Sequence, residues 1–263
     1  MISRSEYYRV IRNERDISES HFHQLLINLN ISTYEFELIR QGESPLFITL
    51  FEKIETAFDN QDIHSLKQIA SRAADNFLET HYIRYRHIYI LATALEQKVQ
   101  LPSRSSKQAT EIAHYLLLQN GFSMYDILLF SNSLVILSRE IINILLKNIL
   151  NSLCSYENFP YQISQLFHLI ENLCMLNLKE NRPISSYVEL LKTVHLTRNQ
   201  ASEKLILQFF SKLADYESHP TTQNLNNIKS FLDSIKSINL TDQEYYFEDV
   251  YILFMKKYNH QSS

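Results

Sequence analysis

Apolar residues recur at helical spacing along nearly the whole chain. The breaks fall at short polar or proline-containing spots around Ser18, Gly42 to Pro45, Asn60, Pro102, Gly121, Pro160, Pro183, Pro220 and Thr241. Near the start the spacing predicts three short helices, at 4–12, 19–29 and 32–40, with Phe22, Leu25, Leu26 and Leu29 on one face of the second. From about 45 onward it predicts helices in pairs: 45–59 with 61–77, 79–98 with 104–119, 123–135 with 138–154, 160–179 with 184–195, and 198–217 with 222–237. A single helix at 242–258 follows. Capping-box spacing marks several starts, with Ser32 before Glu35, Ser123 before Asp126 and Thr241 before Glu244, so that a hydroxyl and a carboxylate can satisfy orphan N–H groups.

The pairs repeat at a period near forty residues. A helix pair cannot bury its apolar face alone, so pairs repeated at this interval are expected to stack into a right-handed solenoid of the tetratricopeptide or HEAT kind. One helix of each pair would then line a concave surface. No consensus tetratricopeptide pattern is legible, and the expectation rests on period and loop length. The predicted organisation is therefore all-α: a compact small domain over 1–41, joined through "RQGESP" to a repeat domain over 45–258, with 259–263 as a disordered tail.

Composition sharpens this. The chain has 263 residues, 45% hydrophobic and 21% charged, with a formal net charge of -4, which is ordinary for a folded globular protein. Only Gly42 and Gly121 are glycine, against an average usage of roughly 7%. Hairpin-rich sheets and glycine-rich phosphate loops need residues at positive φ, so both are disfavoured. Cys154 and Cys174 have no CxxC spacing, and no apolar run long enough for a membrane span is free of charges. A reducing, cytoplasmic setting is expected, with neither signal peptide nor membrane span.

The most unusual stretch is the first. "MISRSEYYRVIRNERD" places Arg4, Arg9, Arg12 and Arg15 at the start of an acidic protein, and Ser5, Arg9 and Arg12 fall at i, i+4 and i+7 on one helical stripe. On charge pattern alone this reads as a solvated terminal helix. The longer segment "ISRSEYYRVIRNERDISESHFHQLLINLNISTYEFELI" resembles the latter part of the XRE-like helix-turn-helix domain in the Rgg/MutR family of transcriptional regulators, relatives of the peptide-sensing PlcR and PrgX proteins. The resemblance rests on Ser3, Arg4, Ser5, Arg9 and Arg12, then Leu29, Asn30 and Ile31, then Tyr34, Glu35 and Phe36. It implies that the first helix is a recognition helix, with Ser3, Arg4, Ser5, Arg9 and Arg12 facing DNA in the major groove. Three departures stand out. Asn13 replaces the family's helix-ending Gly, Glu6 replaces a Gln that can pair with adenine, and the first two helices of the domain are missing. The expectation is a shortened start and a form that binds promoter DNA weakly or not at all.

The region from about 45 to 258 resembles the helical repeat domain of the same regulators, through "FSMYDILLFSNSLVIL" and, some thirty residues on, "FHLIENLCML". The resemblance implies a homodimer whose inner helices clasp a short, largely apolar signalling peptide. It makes Asn132 and Asn172 the leading peptide-binding candidates, because an amide offers both donor and acceptor to an extended backbone. Val135 stands where some relatives carry an Arg for the peptide's acidic groups. A substitute charge could come from "HYIRYRHIY", where Tyr82, Arg86, Tyr89 and Thr93 share a stripe. The plainer alternative is that these tyrosines pack between helices with wet hydroxyls. The apolar stretch "EYYFEDVYILFMKKY" wants covering and is a candidate contributor to dimerisation.

No HExxH, GxSxG or Walker-type loop appears, His21 and His23 are splayed two apart, and the cysteines read as buried small hydrophobes. Neither enzyme activity nor a cofactor or metal is expected. Two functions remain open: a cytoplasmic, peptide-controlled transcriptional regulator, or a tetratricopeptide-like protein-binding adaptor with no DNA role.

Overall fold

The structure, a computed structural model, describes residues 4–12, 14–29, 33, 36, 46–101, 107–119, 121–153, 160–239 and 241–259. Among these, every regular element is a helix: α1 (Arg4–Ile11), α2 (Glu19–Leu29), α3 (Leu46–Asp59), α4 (Ile63–Thr80), α5 (Ile83–Gln100), α6 (Lys107–Leu117), α7 (Met124–Ser133), α8 (Arg139–Leu153), α9 (Pro160–Lys179), α10 (Ser185–Thr193), α11 (Ala201–Ser218), α12 (Thr222–Ser237) and α13 (Thr241–Asn259). The paired helices predicted from apolar spacing are all present. The predicted helix 32–40, apart from Thr33 and Phe36, lies outside the described residues, as do Cys154 and the tail beyond Asn259.

Where helix ends differ from expectation, a cap explains the difference. The predicted helix 61–77 starts two residues later because the Asp62 carboxylate accepts from the Ser65 backbone N–H (3.0 Å) and hydroxyl (2.7 Å), which makes Asp62 the N-cap. It runs on to Thr80, where His81 turns left-handed at φ 57° and its N–H bonds the Phe77 carbonyl at 2.8 Å. Helix α5 therefore begins at Ile83, and Tyr82 lies in the turn before it. Gln61, Asn181 and Asn239 are the other described non-glycine residues at positive φ, each between successive helices. With almost no glycine available, the chain places Asn, His and Gln in this conformation, at a cost of roughly 1 kcal/mol each for all but glycine.

The chain divides into two compact units, Met1–Ile88 and Tyr89–Ser263, with α5 running through the division. In the first unit α3 packs on α4, burying Leu50, Phe51, Ile54 and Ala57 from one and Leu66, Ile69, Ala70 and Ala73 from the other. Leu26 of α2 is buried, and the Phe22 ring meets Phe36 edge-on at 4.9 Å.

In the second unit α6 packs on α7 and α8, and α7 packs on α9. From α9 to α13 each helix packs on the next. The fold is all-α with tetratricopeptide-like stacking of hairpins. The last helix does not simply extend the stack, because α13 also turns back onto α9. The five helices from α9 to α13 thus share one core, to which α9 gives Phe167, Ile170, Cys174 and Leu178, α11 gives Ile206, Phe209, Phe210 and Leu213, and α13 gives Phe247, Val250 and Phe254. These spacings of three and four are the helical stripe visible in the sequence. Phe209 sits centrally, 5.3 Å from Phe231 and 4.9 Å from Phe247 between ring centroids.

The forty-residue period reappears as side-chain bonds between equivalent places in neighbouring repeats. Arg139 bonds Glu180, 41 residues on. Ser164 bonds Glu203, 39 residues on. Asn172 bonds Ser131, 41 residues back, and Lys257 bonds Glu217, 40 residues back. A repeat that stacks regularly brings residue i beside residue i plus one period, which is why these separations cluster.

Candidate functional site

Helix α7 is fixed at its start. Ser123 and Asp126 form the predicted capping box: the Ser123 N–H donates to Asp126 Oδ2 at 2.8 Å, and the Asp126 N–H donates to Ser123 Oγ at 3.3 Å. Asp126 is buried and also accepts from the Tyr115 hydroxyl of α6 at 2.8 Å, which locks the rotation of α7. With Ile127, Leu129, Phe130 and Ser133 buried, the remaining face shows Leu128, Ser131, Asn132 and Val135, all half-buried.

On the neighbouring helix α9, Phe167, Ile170, Leu173 and Cys174 point into the core, which leaves Asn172 exposed with half-buried His168 and Met175 one turn to either side. The Asn172 Nδ2 donates to Ser131 Oγ at 3.0 Å, and the Asn132 Nδ2 donates to the Leu128 carbonyl of its own helix at 3.0 Å. Ser131 and Asn132 are adjacent in sequence, so the two predicted asparagines sit on packed helices that the Asn172–Ser131 bond joins. Both keep a carbonyl oxygen without a bond among the described residues, available to a backbone N–H.

Below Asn172 lies a polar network. Buried Glu171 accepts from the Tyr246 hydroxyl of α13 through Oε1, and its Oε2 meets His168 Nδ1 at 2.8 Å. Burial, and then the charge and hydrogen bond of Glu171, push the Tyr246 phenol far above its ordinary value, so it stays protonated and donates. Burial, then the charges of Glu171 and Glu217, raise the Cys174 thiol, which leaves it inert as expected for a small core residue. A turn earlier, Ser164 donates to Glu203 Oε1 at 2.7 Å and accepts from Gln200 Nε2 at 2.8 Å, joining α9 to the start of α11. Burial raises the Glu203 carboxyl, but the Ser164 bond, its own backbone N–H and the charge of His168 more than offset it, so its pKa lies below the ordinary value.

Glu217 is the structural counterpart of these groups. Its Oε2 accepts from the Ile184 N–H (2.9 Å), the Ser185 N–H (3.1 Å) and the Ser185 hydroxyl (2.7 Å), which caps α10 from α11, and its Oε1 accepts from Lys257 of α13 at 2.7 Å. Burial raises this carboxyl too, and the Lys257, Ser185 and Ile184 bonds outweigh it, holding the pKa below ordinary.

Of the expected DNA-facing residues, Arg9 and Arg12 are exposed, with Arg9 in the last turn of α1 and Arg12 in the turn just beyond it. Ser3 lies outside the described residues, as do the side chains of Arg4 and Ser5, although both begin the helix. Tyr82, in the turn before α5, and Arg86 and Tyr89, within it, are all exposed, and the Thr93 hydroxyl is turned back on the Tyr89 carbonyl at 2.8 Å.

Residue-by-residue reading of the sequence missed Ser131, His168, Glu171 and Tyr246. The repeat period could have found Ser131, one period before Asn172; nothing local pairs Glu171 with Tyr246, 75 residues away. Among the described residues, no group of His, Cys, Asp and Glu could hold a metal ion, and no helix is long and apolar enough to cross a membrane.

Stacked α-hairpins carrying polar side chains on an exposed face define the class: an all-α repeat protein of tetratricopeptide-like architecture. Residues 64–249 match the family model for the C-terminal domain of the HTH-type transcriptional regulator Rgg, and the chain belongs to that family. No curated protein matches the sequence. Among solved structures the chain is similar to a candidate transcriptional regulator from Listeria monocytogenes EGD-e, with TM-score 0.81, 16% identity, and 98% of this chain and 90% of that chain covered. It is also similar to the SHP pheromone receptor Rgg2 of Streptococcus dysgalactiae, with TM-score 0.68, 17% identity and 95% and 90% covered. A third is PrgX in complex with cCF10, with TM-score 0.68, 15% identity and 98% and 85% covered. At these identities the likeness establishes the fold. The family and its structural neighbours are regulators and receptors rather than enzymes.

Proposed function

We propose that this chain is a cytoplasmic transcriptional regulator that binds promoter DNA as a dimer through α1 and is controlled by a short, largely apolar signalling peptide lying across α7 and α9. The observation that carries the reading is the Asn172 to Ser131 bond, which brings exposed Asn172 beside the half-buried face of α7 that carries Asn132, with the carbonyl oxygens of both amides open. Half-buried Leu128, Val135 and Met175 surround them with apolar surface for side chains of the peptide. Membership of the Rgg family supports the regulatory role. The similar structures of a bacterial peptide pheromone and receptor complex and of PrgX with cCF10 support the ligand class.

A ligand that engages Asn172 adjoins Glu171, whose carboxylate holds Tyr246 of α13. Differential binding at Asn172 therefore reaches the last helix through a single hydrogen bond, which gives the peptide a means of shifting the protein between two arrangements. In α1 and the turn just beyond it, exposed Arg9 and Arg12 offer guanidinium groups to phosphate and base edges.

The test is reporter transcription in the native host, induced by the small-peptide fraction of spent medium. Asn172→Ala is expected to abolish the response while the protein keeps its folded dimer; an unaltered response removes Asn172 from the site. In parallel, Arg9→Ala is expected to weaken the shift of promoter DNA and to lower the slope of log affinity against log salt by about 1. Unchanged binding would instead overturn the assignment of α1 as the recognition helix.

A further inference from the structure

Helices α9 and α11 run in the same direction, with α10 returning between them, and side chains tie them at their starts. There Ser164 accepts from Gln200 Nε2 at 2.8 Å and donates to Glu203 Oε1 at 2.7 Å. From that tie a stripe leads along each helix. On α9 it passes through His168 and Asn172, at i+4 and i+8 from Ser164, and on α11 through Lys204, Leu207 and Ser211, at i+4, i+7 and i+11 from Gln200. The neighbouring Ile206, Phe209, Phe210 and Leu213 of α11 turn into the core, which leaves Lys204 exposed and Leu207 and Ser211 half-buried. Lys204 therefore stands level with His168, and Ser211 lies 39 residues beyond Asn172, the same separation that joins Ser164 to Glu203. The groups on this face are not equally engaged. Glu203 accepts from Ser164, from Gln200 and from its own backbone N–H, and the Ser211 hydroxyl donates to the Leu207 carbonyl at 2.8 Å, which keeps its oxygen as an acceptor. Lys204 meets no opposite charge among the described residues.

We propose that Lys204 binds a carboxylate of the peptide, whose chain continues from the Asn132 and Asn172 face onto Leu207 and Ser211 of α11. The proposal rests on the peptide reading given above and adds a charged end to it. The argument is complementarity and reach. An ammonium is a compact charge with three donors, and the only anion an unmodified peptide can bring to it is a carboxylate. Lys204 is one helical turn, roughly 6 Å, short of the level of Asn172. An extended chain covers that distance in about two residues, so a carboxylate about two residues from the backbone unit held at Asn172 comes level with the ammonium. Leu207 offers apolar surface between the two, and the Ser211 oxygen can accept a second backbone N–H. One element opposes an incoming anion: the Glu203 carboxylate beside Lys204. Its charge is shared among three hydrogen bonds from the chain, whereas that of Lys204 is met only by solvent among the described residues.

Saturable photo-crosslinking of the intact protein tests this, using short synthetic peptides of Val, Leu, Ile and Phe that carry a benzophenone side chain. They are prepared as free acids, as C-terminal amides, and as amides with one aspartate at the last position. The wild type is expected to take a carboxylate-bearing peptide at about fivefold lower concentration than the neutral amide. Whichever of the two carboxylates brings the gain, terminal or aspartate, is the one Lys204 holds. Lys204→Met should remove the preference by weakening the carboxylate peptides alone, and Lys204→Arg should keep it. A merely structural lysine would instead weaken acids and amides equally, and circular dichroism checks that each variant folds as the wild type does. A wild type indifferent to both carboxylates, or a preference that survives Lys204→Met, overturns the Lys204 site. Loss of all crosslinking in Asn172→Ala leaves the peptide reading standing in either case, and a wild type that takes none of the peptides overturns both.

Discussion

The first and last helices of the described chain, α1 and α13, make an instructive pair. Both carry aromatic and charged residues in quick succession, and both expose tyrosine. Helix α13 nevertheless buries three large apolar side chains in the core shared by α9 to α13, while no described side chain of α1 is buried: Tyr8, Arg9 and Ile11 are exposed and Val10 is half-buried. Their charges differ as sharply. Those of α13 are of both signs, and Glu244, Glu248 and Lys257 are paired within the chain, whereas Arg9, Arg12, Glu14, Arg15 and Asp16, in α1 and just beyond it, are all exposed. The stability of the protein therefore resides in the aromatic core, in which the described side chains of α1 take no part.

That contrast can be broken most forcefully at its centre. Phe209→Ala removes the ring on which Phe231 and Phe247 pack and should cost about 3–5 kcal/mol, read as a large fall in the urea midpoint. Arg9→Ala should change it by less than about 0.5 kcal/mol. Equal effects from the two would erase the distinction. Next in size is Glu217→Gln, which weakens the cap of α10 and removes the charge facing Lys257, at a cost of about 2–4 kcal/mol at neutral pH.

This second loss has a pH signature. The folded Glu217 carboxyl lies below its ordinary value of 4.5, so its ionised form is favoured by folding. Its contribution is complete above the ordinary value and disappears as pH falls through the lowered one. The stability gap between wild type and Glu217→Gln should thus narrow as pH is taken from about 5 downward, and a gap constant with pH would assign the loss to shape rather than charge. Ser123→Ala, which opens the capping box of α7, should cost about 1 kcal/mol and tests whether α7 depends on its local cap. The smallest effect is a gain: Asn181→Gly relieves a left-handed residue between α9 and α10 and should add up to about 0.5–1 kcal/mol in thermal unfolding.

Much of the fold was legible because helix pairs announce themselves twice, through apolar spacing and through period. The intervals predicted for the pairs match α3 to α12 closely. The ends that moved, at Asp62 and at the His81 turn, were set by single side-chain or backbone bonds that spacing alone does not rank. The closure of α13 onto α9 was not legible, since Tyr246 and Glu171 are separated by 75 residues and neither stands out locally. Of the candidate site, Asn132 and Asn172 came from resemblance. Their juxtaposition follows from being one repeat apart, a consequence of stacking that the period already contained. His168 and the buried Glu171 gave no signal, because a histidine and a glutamate on an apolar helix read equally well as surface residues.

The central claim is that a short apolar peptide lies against the Asn132 and Asn172 face. The most direct measurement is photo-crosslinking of the intact protein with short synthetic apolar peptides carrying a benzophenone side chain, followed by mass-spectrometric mapping. The account predicts saturable crosslinks to α7 and α9 around Ser131, Asn132 and Asn172, competed by unlabelled peptide and lost in Asn172→Ala. Crosslinks that map elsewhere, or that persist unchanged in that variant, would contradict it.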